Sequence, residues 1–466
     1  MDKITTELIR TEINGITSPT VDTVFEILKA IATLENRIER SLLLNDLAKK
    51  AKIPRQDLRK ELDTFLPRDV TSDFIITENI VIAHPAYDVN DLFMSLGFKE
   101  PIIEGKKVAD RNFYLLAHDN KFHRVDENTV QIGRFNVVFD ERNRILPTIG
   151  ERWDRKGLEA FVQNPAEPKG VYAEIKQTIQ GFVEFQKDAH YGLLAAWVIA
   201  TYFARCFHAV PFLNILGKKQ SGKSRLLELL HHLCFNAIKT KGVSLASLAD
   251  SVDGVRGVFL QDQAESLSME KYRELLGILT DSYTIGGGKR RVVDFQNRER
   301  RIAEFETYGF KAFASTKDVD TDLKDRCITI AMVRAAKEYP YPEAHLPLWG
   351  TLRDKLYRLA LLKYREVKAI YQNTGRNAKQ RVRELWCPLE TVLTLEGVDS
   401  AETTAIYDVF LEAMEEAQVG LSAMENTLFE ALFRLLGDES ARMLSACRWQ
   451  NKRVPKTALK SVPPWK

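Results

Sequence analysis

The sequence predicts an α/β fold whose core is a parallel sheet with flanking helices, and two segments carry the prediction. In "FLNILGKKQSGKSRLLELLHHL" an apolar run at 212 to 216 leads into Gly217-Lys218-Lys219-Gln220-Ser221-Gly222-Lys223-Ser224, and then into a helical run. About forty residues later "GVFLQDQAESL" offers a second apolar strand, Val258 to Leu260, ending at Asp262. Two strands that each end in chemistry-bearing residues, with a helix between them, are the repeating unit of such a core.

The bulk numbers allow this. The chain has 466 residues, 45% of them apolar and 28% charged, the balance of a globular protein with room for several domains. Sixty-seven basic residues face 64 acidic ones, so a nucleic-acid surface has to come from local clusters. The five cysteines, at 206, 234, 327, 387 and 447, are far apart and never spaced Cys-x-x-Cys, which predicts reduced thiols without a disulfide framework or zinc site. "MDKITTELIRTEI" has no basic stretch followed by an apolar run, so no signal peptide is expected. "LLAAWVIATYF", at 193 to 203, is too short to span a bilayer and reads as a buried helix. A cytoplasmic protein without a membrane partner follows.

Six regions are expected along the chain. Residues 1–70 are helical: "VDTVFEILKAIATLENRIERSLLLNDLAKKAKIPRQDLRKEL" breaks at Ile53-Pro54 in a helix-turn-helix pattern. This stretch also resembles the helical segment after the catalytic domain of bacterial primases. It is either a DNA- or primase-docking element or a small bundle without a ligand. Residues 71–154 carry short β-branched and aromatic runs with hairpin connections at Asp119-Asn120 and Glu141-Arg142-Asn143, a small β-containing domain. His118 and His123 flank the first of these turns and read as surface histidines. A helical lead-in at 155–208 precedes the core at 209–340. A helical lid region at 341–445 follows, and then the basic tail 446–466, "RWQNKRVPKTALKSVPPWK" in part.

The octad at 217–224 has the order that phosphate binding needs. Successive backbone N–H groups of Gly217, Lys218, Lys219, Gln220, Ser221 and Gly222 wrap the phosphates, Lys223 reaches the outer ones, Ser224 ligates Mg²⁺, and the helix start adds partial positive charge. ATP and Mg²⁺ are the expected cofactors. Asp262, at the end of the second strand, is the expected partner of Ser224 at the metal.

Gln263 stands where a water-activating Glu commonly follows such an Asp. An amide orients a water molecule but cannot take its proton, a difference of about 10²–10⁴ in rate. Three readings stay open: Gln263 orients the water in a slow enzyme, Glu265 serves as the acid, or the amide is a replacement introduced to trap the ATP-bound state.

"SYTIGGGKRRVVDFQNRERRIAEFETYG" follows, with Lys289, Arg290, Arg291, Arg298, Arg300 and Arg301 against Asp294 and Glu299 up to residue 301. The expectation is a hairpin with Gly286-Gly287-Gly288 as a flexible tip, gripping a phosphate backbone, with a solvated surface hairpin as the alternative. "FKAFASTKDV" reads as a strand, 310 to 314, ending in Ser315 and Thr316, hydroxyl donors placed to sense a γ-phosphate. In "TDLKDRCITIAM", Arg326 is either an arginine finger for a neighbouring subunit's ATP or a surface residue paired with Asp325.

Phosphate loop, acidic strand, basic hairpin, polar strand end and "DRCITIAM", in that order, resemble the AAA+ ATPases of phage, plasmid and genomic-island replication, the primase-associated or MCM-like helicases. The resemblance covers about 190 to 395 and includes "RVRELWCPLETVL" at 381–393, similar to a run after the core of those proteins. It implies an AAA+ P-loop core in a DNA helicase, with Lys223, Ser224, Asp262, Thr316 and Arg326 as phosphate, Mg²⁺, sensor and trans-acting finger residues and Arg381 as a second sensor. It further implies a hexameric or other ring around single-stranded or forked DNA, with residues 284–301 as the pore hairpin and a primase as a partner. Gln263 departs from the Asp-Glu pair of that family.

Overall fold

The computed structural model describes residues 6–16, 19–34, 37–65, 79–104, 107–141, 146–241, 245–264, 273–296, 299–374 and 380–419. The chain divides into two compact units, Met1–Ile80 and Val81–Lys466. The expected basic tail at 446–466, the end of the lid region beyond 419, and Arg142 and Asn143 of the second expected turn lie outside the described residues.

In the first unit, helices α1 (Thr6–Gly15), α2 (Val21–Ala32), α3 (Arg37–Ala51) and α4 (Arg55–Phe65) close around one small core. Ile9 and Ile13, and Val24, Leu28 and Ile31, recur at helical spacing and meet Leu43, Leu47 and Leu58. Thr20 caps α2 by accepting the Thr23 N–H at 3.3 Å. Between α3 and α4 the chain turns at Lys52, whose φ of +59° ends the helix, and the Pro54 carbonyl accepts Asp57 N–H at 3.0 Å to start the next.

In the second unit, β1 (Ile80–Ala83), β2 (Tyr87–Val89), β3 (Met94–Glu104), β4 (Lys107–His118), β5 (Lys121–Val125), β6 (Thr129–Ile132) and β7 (Phe135–Phe139) form two antiparallel sheets, β2-β3-β4-β5 and β1-β7-β6. Asp119 and Asn120 turn β4 into β5 with φ of +47° and +59°, the left-handed pair that a two-residue hairpin connection requires. His118 Nδ1 lies 3.1 Å from the Leu92 carbonyl. The four-stranded sheet shares its core with the helices that follow: Phe98 packs on Trp153 and Tyr357, and Tyr87 on Phe235.

Helices α5 (Arg155–Gln163), α6 (Val171–Phe182) and α7 (Ala189–Thr201) lead into the core. Every residue of α7 from Tyr191 to Thr201 is buried, so its apolar run has no solvent face to interrupt it. No helix among the described residues is long and apolar enough to cross a membrane. Trp197 fixes α7 to the sheet, its indole N–H donating to the Pro211 carbonyl at 2.9 Å and its ring standing edge-on to Phe310.

The core runs β8 (Phe212–Gly217), α8 (Lys223–Leu233), β9 (Ile238–Thr240), α9 (Leu245–Val255), β10 (Phe259–Asp262), α10 (Arg273–Asp281), the hairpin β11 (Lys289–Gln296) and β12 (Glu299–Glu306), β13 (Lys311–Ser315), α11 (Thr321–Lys324) and β14 (Cys327–Met332). The long helices α12 (Leu348–Asn373), α13 (Gln380–Leu395) and α14 (Ser400–Val419) follow. Five strands pair in the order β14-β8-β13-β10-β9, and every pairing is parallel. The fold is mixed α/β with a parallel sheet and helices. β8 and β13 are buried along their whole length, which is why they read as continuous apolar runs instead of alternating ones. Trp197→Ala should lower unfolding free energy by about 3–5 kcal/mol, read from chemical denaturation of the full chain, because the indole fills a fully buried site against the sheet.

Candidate functional site

Because β8, β13 and β10 run the same way, their C-terminal ends share one edge of the sheet. Residues 217–224 follow β8 there, and α8 begins at Lys223. Gln220 and Gly222 have φ of +65° and +92°, which folds the loop tightly. A side chain at Gly217 would place its Cβ 2.5 Å from both the Met332 carbonyl oxygen and Ser221 Oγ. Lys223 turns back across the loop, and its ammonium donates to the carbonyls of Gly217 and Lys218, each at 2.7 Å. Ser221 Oγ is buried with no hydrogen-bond partner among the described residues. Lys218, Lys219, Gln220 and Ser224 are exposed around it.

β10 does not touch β8; β13 lies between them. Even so, Ser224 Oγ comes within 3.3 Å of Asp262 Oδ2. Ser315 pairs with Leu216 and Ala314 with Asp262, so the next residue, half-buried Thr316, stands at the same edge between loop and acid. Gln263 has a φ of +58°, a left-handed conformation that a non-glycine residue seldom adopts, and its N–H donates to Asp262 Oδ1 at 3.0 Å. Glu265 lies outside the described residues. The loop also borders a cleft of about 780 Å³ whose far wall is formed by Glu184 and the segment 332–341. The Ala336 N–H is held there by Glu184 at 2.7 Å.

The donor set fits a magnesium nucleotide: a buried hydroxyl without a partner, a glycine whose Cβ would collide, an ammonium on the loop, and a hydroxyl beside a carboxylate. Lys223, Ser224 and Asp262 are brought together, and Thr316 joins them by strand register.

Arg326 and Arg381 are elsewhere. Arg326 N–H bonds back to Leu323 O, its carbonyl accepts the N–H of Phe212, and the next residue pairs with Phe212 at the start of β8. That places Arg326 at the opposite edge of the sheet, roughly 20 Å from Gly217 at about 3.3 Å per strand residue. Its guanidinium donates to the Asp322 carbonyl at 2.6 Å and lies 3.5 Å from Asp325. Arg381 Nε reaches the same Asp325 oxygen at 3.5 Å, and both guanidiniums lie over the ring of Tyr283, at 5.6 and 4.7 Å. The two arginines form one cluster, remote from the loop of their own chain.

The hairpin differs from its expected form. Residues 286–288 are its base and not its tip: β11 starts at Lys289, and the ladder runs from Lys289↔Glu306 to Gln296↔Glu299, its far end from the glycines. Close packing holds Gly287 and Gly288. The Gly288 carbonyl accepts Thr307 Oγ1 at 2.6 Å, and a Cβ on Gly287 would meet Asp281 O at 2.1 Å. Arg298 lies outside the described residues, and Arg300 pairs with Phe295 in the ladder. Lys289 and Arg291 both donate to Glu304, at 2.5 and 2.9 Å, and hold its carboxyl below the usual range. Arg290, on the other face, is half-buried.

Several residues at these sites carried no sequence motif. At the hairpin base, burial acts to raise the Glu306 carboxyl, but Arg205 and Arg256, at 3.0 and 3.3 Å, hold it below its ordinary value. Lys311 is fully buried in the apolar run that forms β13. Its ammonium donates to the carbonyls of Thr307 and Gly309 at 2.7 and 2.9 Å, and burial pushes its pKa down to about 7. On α8, Glu228, His231 and His232 bring ligand atoms within 4.8 Å of one another. Glu228 is ion-paired with Lys239, and burial together with Arg152 pushes His231 down to about 4, surroundings that oppose a cation.

No protein-family profile and no curated protein matches the chain. Among solved structures it is similar to a full-length MCM homolog from Methanopyrus kandleri, at 12% identity and a TM-score of 0.32, over 80% of this chain and 90% of that one. It is also similar to the apo A form of the NrS-1 C-terminal region, at 11% identity and a TM-score of 0.30, over 66% and 86%. A second apo A form of that region, described as residues 305–718, gives 13% and 0.29, over 70% and 88%. These scores are too low to bear on function, so the site is read from its own geometry. Gly217→Ala should lower the unfolding free energy of the full chain by about 1–3 kcal/mol in chemical denaturation, because its Cβ would lie 2.5 Å from the Met332 carbonyl oxygen and Ser221 Oγ.

Proposed function

We propose that this chain is an ATP-driven motor of the AAA+ class, a DNA helicase or translocase in the replication of a mobile element. It works as a homo-hexamer or other ring on single-stranded or forked DNA. The observation that carries the reading is the approach of Ser224 to Asp262 across an intervening strand, beside a loop closed by Lys223.

In this reading the N–H groups from Gly217 to Gly222 and the Lys223 ammonium would hold the phosphates, and Ser224 and Asp262 the Mg²⁺. Bound Mg·ATP supplies the anhydride whose hydrolysis drives movement. Thr316 offers a hydroxyl donor to the outer phosphate, and Gln263 orients a water through its amide. Phosphoryl transfer depends mostly on positioning and charge stabilisation, so an amide at 263 slows turnover without forbidding it.

Arg326 and Arg381 are too far from their own loop to serve it, so both are assigned to the nucleotide of a neighbouring subunit, where a guanidinium would neutralise charge developing on the phosphate. Arg290, Arg298 and Arg300 of the hairpin, with Lys289 and Arg291 shared between Glu304 and the ligand, would contact the DNA backbone. The first unit is the candidate contact to DNA or to a primase.

A second reading is a hydrolysis-poor, nucleotide-gated loader or primase scaffold. It is favoured by Gln263 itself, an amide fixed by its backbone at the strand end where a carboxylate would act as base. One assay separates the two. The motor reading expects ATP turnover that single-stranded DNA stimulates severalfold and that Lys223→Ala lowers by about 10²-fold or more. Turnover unaffected by Lys223→Ala contradicts it. Negligible turnover that Gln263→Glu raises steeply selects the loader.

A further inference from the structure

The crossover from β13 to β14 leaves the loop edge of the sheet at Ser315 and Thr316 and delivers Arg326 to the opposite edge. It is short, with only the four-residue helix α11 inside it, and it is braced along its length. Ser315 Oγ donates to the Lys317 carbonyl at 2.5 Å. Asp318 accepts Asn214 Nδ2 at 3.2 Å through one oxygen and the Lys324 ammonium at 2.7 Å through the other. Asp320 caps α11 by accepting Asp322 N–H at 2.9 Å, and the last turn of the crossover presents Arg326, held to the Asp322 carbonyl.

Asn214 is the unexpected member. It is wholly buried in the middle of β8, in the run "FLNILG", where its neighbours Leu213 and Ile215 are apolar. Its Nδ2 also lies 3.4 Å from Thr329 Oγ1 on β14, while its Oδ1 accepts no bond among the described residues. A leucine would fill the same space without a buried acceptor left unpaired, so packing alone does not account for an amide there. The amide does hold Asp318 to the strand that carries the phosphate loop. Asp318 in turn holds Lys324, which is 5% exposed and two residues before Arg326.

We propose that Asn214, Asp318 and Lys324 are positioning residues that set the place of Arg326 from the strand bearing the subunit's own phosphate loop. The inference rests on the reading above, that Arg326 acts on a neighbour's nucleotide. A subunit with a broken bridge keeps a sound phosphate site and presents a misplaced arginine, so its defect is felt next door.

The test uses the full chain in mixed assemblies. Asn214→Leu should bind Mg·ATP within about twofold of wild type, and its kcat should fall at least tenfold. Lys324→Met should behave alike, and Lys324→Arg, which can still reach Asp318, should keep most of the turnover. Mixing Asn214→Leu with Lys223→Ala, each nearly inactive alone, should restore activity, since the Asn214→Leu site then receives an intact Arg326 from its neighbour. The reference mixture is Arg326→Ala with Lys223→Ala. If the reference mixture regains turnover and the Asn214→Leu mixture does not, the bridge acts inside its own site and the inference is wrong. If neither regains turnover, Arg326 does not act between subunits, and the inference falls with that assignment. If wild type binds no Mg·ATP, the proposed function itself has failed. Should Asn214→Leu not fold, Lys324→Met mixed with Lys223→Ala gives the same decision, with Lys324→Arg as its control.

Discussion

Ser224 and Asp262 belong to segments whose strands never pair, yet their oxygens lie 3.3 Å apart. That contact depends on one constraint, the parallel order β14-β8-β13-β10-β9. Parallel strands put all their C-terminal ends on one edge, and inserting β13 between the loop strand and the acidic strand leaves its polar end, Ser315 and Thr316, in the gap. The same direction of travel forces a crossover back to the far edge before β14 can begin. Arg326 stands where that return journey ends, so strand order alone sets it apart from the loop, Asp262 and Thr316.

The far edge has its own logic. Arg326 and Arg381 share Asp325 and the face of Tyr283, so two cations are kept close by one carboxylate and one ring. Near it, the hairpin is fixed to the sheet by the buried Lys311 ammonium, which binds the carbonyls of Thr307 and Gly309, and by Glu306, which joins Arg205 and Arg256. The base is therefore the best-anchored part of the hairpin.

What could be read from residue order was what depends on local spacing. The turn at Asp119-Asn120, the buried helix at 193–203 and the strand-loop-helix at 212–233 each follow from neighbouring residues, and the structure shows all three. Glu304 lies beyond the cationic run that ends at residue 301, and only the register of the ladder sets its carboxylate against Lys289 and Arg291. The glycines at 286–288 suggested a mobile tip because glycine permits one; at 287 and 288 the close approach of Asp281 and Thr307 requires glycine instead. The company of Arg381 depends on where α13 docks, which no local pattern encodes. Asn214 and Lys311 were hidden by apolar neighbours, and their meaning lies in what they hold.

The central claim is that Ser224 and Asp262 act together on one Mg²⁺. The most direct measurement is a double-mutant cycle on Mg·ATP affinity with Ser224→Ala, Asp262→Asn and the pair, titrated calorimetrically. Joint action predicts a coupling energy of about 1 kcal/mol or more, largely abolished when EDTA removes the metal. Strictly additive losses, or affinities indifferent to Mg²⁺, would contradict it.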